Sequence, residues 1–115
     1  SVWEAAMSAA HYNLNQLTVI IDRNNLQQTG KSDEIMSYKN LKNIWASFGF
    51  LALEVDGHNI NELIDAFNTS DSKKPKVIIA NTIKGKGLSF AENDNNWHHA
   101  ILTSKFYEKA IEELK

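Results

Sequence analysis

Three short apolar runs alternate with two amphipathic helical patterns, and this alternation limits the possible folds more than any other feature of the chain. The runs are residues 17–21 (Leu-Thr-Val-Ile-Ile), 51–55 (Leu-Ala-Leu-Glu-Val) and 77–80 (Val-Ile-Ile-Ala). Each is short, rich in β-branched residues and bounded by polar punctuation, as expected of a buried strand. Between the first two, Leu41, Ile44, Trp45 and Phe48 recur at i, i+3, i+4 and i+7, and Gly49 is placed to end that helix. Between the second and third, Asn59 can cap a helix whose Ile60, Leu63, Ile64 and Phe67 repeat the spacing, with Glu62 where a capping box needs a carboxylate. Lys74-Pro75 breaks the chain before the third run. Single helices joining such strands imply right-handed crossovers and a parallel sheet. The expected fold class is therefore α/β: three layers, a mostly parallel sheet with helices on both faces. An Ala-rich helix over residues 2–12 and a last helix over about 104–114 complete the pattern.

Composition narrows the function classes. One hundred and fifteen residues, 43% hydrophobic with five Phe and three Trp, suffice for one domain with a modest core. A net charge of −2 and no basic run with interleaved aromatics argue against a nucleic-acid surface. The absence of Cys excludes disulfides and thiolate metal sites, and no apolar stretch has the length to cross a bilayer. The expectation is a soluble, cytoplasmic chain. It starts inside a helical pattern, with neither an initiator Met nor a signal pattern, so it reads as a piece of something larger.

Each apolar run ends in polar residues: Asp22 and Asn24 after the first, Asp56-Gly57-His58 after the second, Asn81-Thr82 after the third. In a parallel sheet these ends share one edge, where open α/β sheets bind ligands. The first of them, Asp22-Arg23-Asn24-Asn25-Leu26-Gln27-Gln28-Thr29-Gly30, offers side-chain and backbone oxygens suited to a hard cation such as Mg²⁺. Asn and Gly are also ordinary turn residues, so the loop chemistry alone leaves both readings open. Residues 81–99, with two glycines and many amides, form a long polar segment of the kind that carries function. Within it, Lys84-Gly85-Lys86-Gly87 can be read as a phosphate cradle or as the entry to an active-site loop; it lacks P-loop spacing and opens no helix, which favours the second. His11 and His58 read as structural.

The combination of Val2-Trp3-Glu4-Ala5-Ala6, Asp22-Arg23-Asn24-Asn25-Leu26 ending at Gly30, Val55-Asp56-Gly57-His58, Thr82-Ile83-Lys84-Gly85-Lys86-Gly87 and Trp97-His98 resembles the thiamine-diphosphate domain of transketolase over nearly the whole chain. The likeness is strongest to the split form of the enzyme, in which this half is a separate N-terminal subunit. Residues 1–115 then form the C-terminal part of a single thiamine-diphosphate-binding domain, a partial version of that fold. The family's Gly-Asp-Gly signature is missing; counting back from Asn24 by the family spacing puts its Asp a few residues before Ser1.

The resemblance implies roles residue by residue. Asn24 matches the amide that coordinates Mg²⁺, and Leu26 the residue that offers its backbone carbonyl, both toward the diphosphate of the cofactor. Gln28 lies where the family often has an apolar residue near the aminopyrimidine ring. Glu4 matches a helix carboxylate near the boundary between active sites. His98 matches the histidine after Trp that approaches the diphosphate and the substrate, a task that suits an imidazole. Where the family usually has Gly next, this chain has His99, without access to positive φ.

The implied activity moves a two-carbon ketol unit between sugar phosphates, with thiamine diphosphate and Mg²⁺ as cofactors. The implied partner is a pyrimidine-binding subunit or domain that supplies the activating glutamate, in a homo- or hetero-oligomer. The isolated chain is expected to be inactive. Competing readings are another thiamine-diphosphate enzyme, of the deoxyxylulose-phosphate synthase or pyruvate dehydrogenase type, or a truncated module without catalysis.

Overall fold

A computed structural model describes residues 1–27, 30–31 and 40–115. The chain divides into two compact units, one formed by Ser1–Arg23 with Tyr38–Asn81, the other by Asn24–Ser37 with Thr82–Lys115.

The first unit contains the parallel sheet. Strands β1 (Thr18–Arg23), β4 (Leu51–Asp56) and β5 (Lys76–Asn81) lie in the order β1-β5-β4. The last strand in sequence is the central one. That explains its composition: a strand buried on both faces reads as a continuous apolar run, and Val77, Ile78 and Ile79 have no exposure at all. The strands run one or two residues past the apolar cores of the expected segments, because ladder pairing carries through polar residues such as Asp22 and Arg23.

Helices cover both faces. Val77 and Ile79, with Val19, Ile21 and Ala52 beside them, pack against α1 (Val2–His11) and α2 (Leu41–Ser47). Ala6 and Ala9 of α1 allow the close approach, and Trp45 of α2 fills the centre, with ring centroids 5.4 Å from Trp3 and 4.8 Å from Phe50. Helix α2 ends as expected at Gly49: its φ is +97°, Phe50 N–H donates to the Trp45 carbonyl and Gly49 N–H to that of Ala46, the pairing of a Schellman cap. On the other face, Leu53 and Val55 of β4 line a groove with Ala66 of α3 (Ile60–Asn68).

Two expectations for α3 are corrected. Its apolar stripe does not all face inward: Ile60, Ile64 and Phe67 are half or more exposed, and Ala66 is the buried contact. The small residue decides this, since only an alanine lets a short helix lie close to the sheet. Asn59 does cap the helix, accepting from Asn61 and Glu62 N–H groups. The reciprocal half differs. Asn59 N–H already donates to the Asp56 carbonyl, so the Glu62 carboxylate accepts instead from Asp56 N–H at 2.9 Å and from the Asn59 side-chain amide at 3.1 Å.

The far end of α3 is held by a residue the apolar pattern does not include. Lys76, only 6% exposed, donates from Nζ to the carbonyls of Ala66, Phe67 and Thr69 at 3.0, 2.7 and 2.8 Å. These are the oxygens a helix leaves unpaired at its C-terminus, where a cation is favoured.

In the second unit, β2 (Leu26–Gln27) pairs antiparallel with β3 (Gly30–Lys31), so part of the expected loop is a short ladder. A 3₁₀ turn (Asn95–His98) and α4 (Ser104–Glu113) follow. Phe90, Trp97 and Phe106 pack mutually at 4.9 Å between centroids, and Lys109 Nζ lies 5.4 Å from the Phe90 ring. Among the described residues, no helix is long and apolar enough to cross a membrane.

Candidate functional site

The sheet register sets the edge at which the polar strand ends meet. Arg23 of β1 and Asp56 of β4 both lie beside Asn81 of β5. The ends are tied to each other: Gly57 N–H donates to the Asn81 carbonyl at 2.8 Å, and Glu54 Oε1 receives both the Arg23 guanidinium at 3.2 Å and the Asn81 amide at 3.1 Å. Asp56 folds onto its own loop by accepting from His58 N–H at 2.9 Å, which leaves His58 as the residue before the cap of α3, a structural place. Exposed His11 sits in the last turn of α1, its ring edge-on to Tyr12 at 4.9 Å.

Asn24 is the residue after Arg23 and begins the second unit. It is half-buried, and its Oδ1 accepts from Leu26 N–H at 3.0 Å while Asn25 takes a φ of +59°. This closes an Asx turn. An amide oxygen carries two lone pairs, so Oδ1 retains acceptor capacity, and with the Leu26 carbonyl the turn offers two neutral hard donors. Among the described residues, no group of three His, Cys, Asp or Glu side chains is gathered as a metal site. A divalent cation here would need anionic oxygens besides this pair. Gln28 lies outside the described residues.

Glu4 is in the first turn of α1 with its side chain 71% exposed and the Ser1 amino group 3.1 Å away. Its carboxyl is held below the ordinary value of 4.5, first by its own backbone N–H and then by that amino group. A helix N-terminus favours an anion in this way.

His98 ends the 3₁₀ turn, which Asp94 caps by accepting from Asn96 N–H at 2.9 Å. The preceding Trp97 is anchored in the aromatic cluster, which keeps exposed His98 at the surface of the unit. Its Nδ1 is 3.2 Å from Lys84 Nζ, and its ring meets that of His99 edge-on at 4.5 Å. His99 has φ −136°, so the chain passes this point without the positive φ that only glycine adopts freely.

The Lys84-Gly85-Lys86-Gly87 segment is closed on itself. Gly87 N–H donates to the Glu92 carboxylate at 3.0 Å, and Lys86 Nζ is 3.9 Å from the same oxygen. A cradle needs these groups turned to an anion from outside, so the loop-entry reading is the better supported one. Gly85 has φ +72°, and a Cβ there would overlap the Ala91 carbonyl. Gly85→Ala is expected to cost about 2 kcal/mol through backbone strain and to open the loop. Limited trypsin digestion at Lys84 and Lys86 checks this: faster cleavage is expected, and an unchanged rate would contradict it.

Farther along, Ser89 gives its N–H and hydroxyl to the Glu113 carboxylate of α4 at 2.6 and 2.5 Å. These two bonds hold the Glu113 carboxyl below 4.5. A carboxyl lowered in the folded state stabilises above its ordinary value, and that contribution disappears as pH falls through the lowered one. The Ser89 amide is therefore expected to be protected near neutral pH and to exchange faster on acidification below 4.5, with Glu113→Gln removing the dependence. Hydrogen exchange at Ser89, corrected for its intrinsic pH dependence, measures this.

Comparison with known proteins accounts for this set of residues. The family model described as "Transketolase, thiamine diphosphate binding domain" matches residues 2–114. One of the two named subunits of apulose-4-phosphate transketolase from Phocaeicola vulgatus is 40% identical over 99% of this chain, which covers 41% of that protein. Human transketolase is 35% identical over 99% of the chain, which covers 18% of it. Transketolase from Campylobacter jejuni superposes with a TM-score of 0.88 at 30% identity, over 96% of this chain and 18% of its own. The chain belongs to the transketolase thiamine-diphosphate-binding domain family, and it spans less than half the length of these relatives.

Proposed function

We propose that this chain is the cofactor-binding part of a two-subunit transketolase that moves a two-carbon ketol unit from a ketose phosphate to an aldose phosphate. The observation that supports it most is the register that lines up Arg23, Asn81 and Asp56 at one sheet edge, where open parallel sheets bind ligands, with Asn24 next in the chain. Asn24 Oδ1 and the Leu26 carbonyl would hold Mg²⁺ as neutral donors, the anionic ones coming from the diphosphate and from an upstream carboxylate. When bound, thiamine diphosphate supplies the electron sink that ketol transfer requires. Gln28 would cover the aminopyrimidine ring with its stem.

His98 would donate a hydrogen bond to a phosphate or substrate oxygen and pass a proton near neutral pH. Glu4 would meet the partner across a subunit boundary, where burial must be matched by a hydrogen-bond donor. The partner is a pyrimidine-binding subunit that carries the activating glutamate, an assignment supported by relatives that are themselves named as single subunits of transketolases. Chemistry of this kind on phosphorylated sugars belongs in the cytoplasm.

A coupled assay on ketose and aldose phosphates tests the reading. The chain alone is expected to give no turnover, and the subunit completed upstream and mixed with its partner to give it. Turnover by the isolated chain, or none by the completed pair, would refute the proposal.

A further inference from the structure

Both lysines of the Lys84-Gly85-Lys86-Gly87 segment are directed within their own unit. Lys86 pairs with Glu92, whereas Lys84 meets an imidazole nitrogen, His98 Nδ1, at 3.2 Å. Each partner is fixed from its own side. The Lys84 carbonyl accepts from Asn93 N–H at 2.9 Å and Gly85 turns tightly against Ala91, while His98 follows the packed Trp97 on a capped turn. Lys84 is half-buried, so this ammonium is partly removed from water and has a defined neighbour.

An ammonium has three donors and no acceptor. A ring nitrogen facing it must present a lone pair, which puts the only N–H of a neutral imidazole on Nε2. We infer that Lys84 is a positioning residue for His98, holding it as the Nε2–H tautomer so that the outward nitrogen is a hydrogen-bond donor. The inference rests on the role proposed for His98 and adds the group that sets its proton. Without Lys84, Nδ1–H and Nε2–H forms would interchange, and part of the population would offer an acceptor to an anionic oxygen.

The test reads the tautomer directly. Long-range ¹H–¹⁵N spectra are recorded on the cofactor-free chain labelled at its four histidines, with His98→Gln assigning the resonance. The expected result is an unprotonated-type Nδ1 and a protonated-type Nε2 for His98, shifting to averaged positions in Lys84→Met and staying single in Lys84→Arg, which keeps a donor-only cation. An Nδ1–H or averaged signal in the parent chain, or a Lys84→Met spectrum identical to it, would overturn the inference. Should Lys84→Met lose the ring-current shifts of the Phe90, Trp97 and Phe106 cluster, Lys84→Arg decides: averaging there also overturns it. No cofactor enters this measurement. A fixed tautomer in a protein that never binds thiamine diphosphate would defeat the functional reading and leave this one standing.

Discussion

Asn24→Ala, placed in the completed subunit with its partner, is expected to weaken Mg²⁺-dependent binding of thiamine diphosphate by about 100-fold. The substitution removes two things. One is a neutral oxygen for the cation. The other is the acceptor that closes the turn on Leu26 N–H at 3.0 Å and so orients the second proposed donor, the Leu26 carbonyl. Asn24→Asp separates them, because a carboxylate also accepts from Leu26 and offers the ion an anionic oxygen. Calorimetric titration with Mg²⁺ present is expected to show binding in the parent and in Asn24→Asp, and almost none in Asn24→Ala. Equal affinities for all three would remove Asn24 from the metal site.

The second large effect concerns stability. Lys76→Met is expected to destabilise the fold by about 3 kcal/mol, because charge-assisted hydrogen bonds are strong and buried carbonyls left without a donor are costly. The Met side chain fills the space of the lysine stem but leaves the Ala66, Phe67 and Thr69 carbonyls without their shared cation. Denaturant unfolding measures the loss, and Lys76→Arg is expected to recover part of it by keeping the charge. The effect should reach beyond α3: Lys76 begins the central strand, and its own N–H pairs with the Leu17 carbonyl. A Met variant within about 0.5 kcal/mol of the parent, the ordinary scatter of surface substitutions, would show that these bonds contribute little.

Lys76 also marks where sequence reasoning stops. The apolar run begins at Val77, so a pattern reader places the lysine outside the strand, although it is the most deeply buried charged group among the described residues. Its burial follows from the C-terminus of α3 lying beside the start of β5, a tertiary fact absent from local periodicity. The same limit explains α3. Period alone marks Ile60, Leu63, Ile64 and Phe67 as the inward face, but the sheet is met through Ala66, and alanine carries little weight in an apolar pattern.

Local chemistry, by contrast, was legible. Gly49 ends α2 and Asn59 caps α3 because both are set by the backbone's unpaired groups within a few residues. The three strands followed from composition, and the shared edge from their parallel direction. Of the site, Asn24 and His98 could be singled out by residue type and resemblance. The Lys84–His98 pair and the Phe90, Trp97 and Phe106 cluster join residues that no local spacing rule connects.

The central claim is that a divalent cation is held at the carboxyl end of β1 by the Asn24 amide. A crystal structure of the completed subunit with its partner, thiamine diphosphate and Mg²⁺ tests it most directly. The account predicts Asn24 Oδ1 and the Leu26 carbonyl oxygen both at about 2.1 Å from the ion, the distance Mg²⁺ requires. An ion bound to the diphosphate with the Asn24 amide turned away into solvent would contradict it.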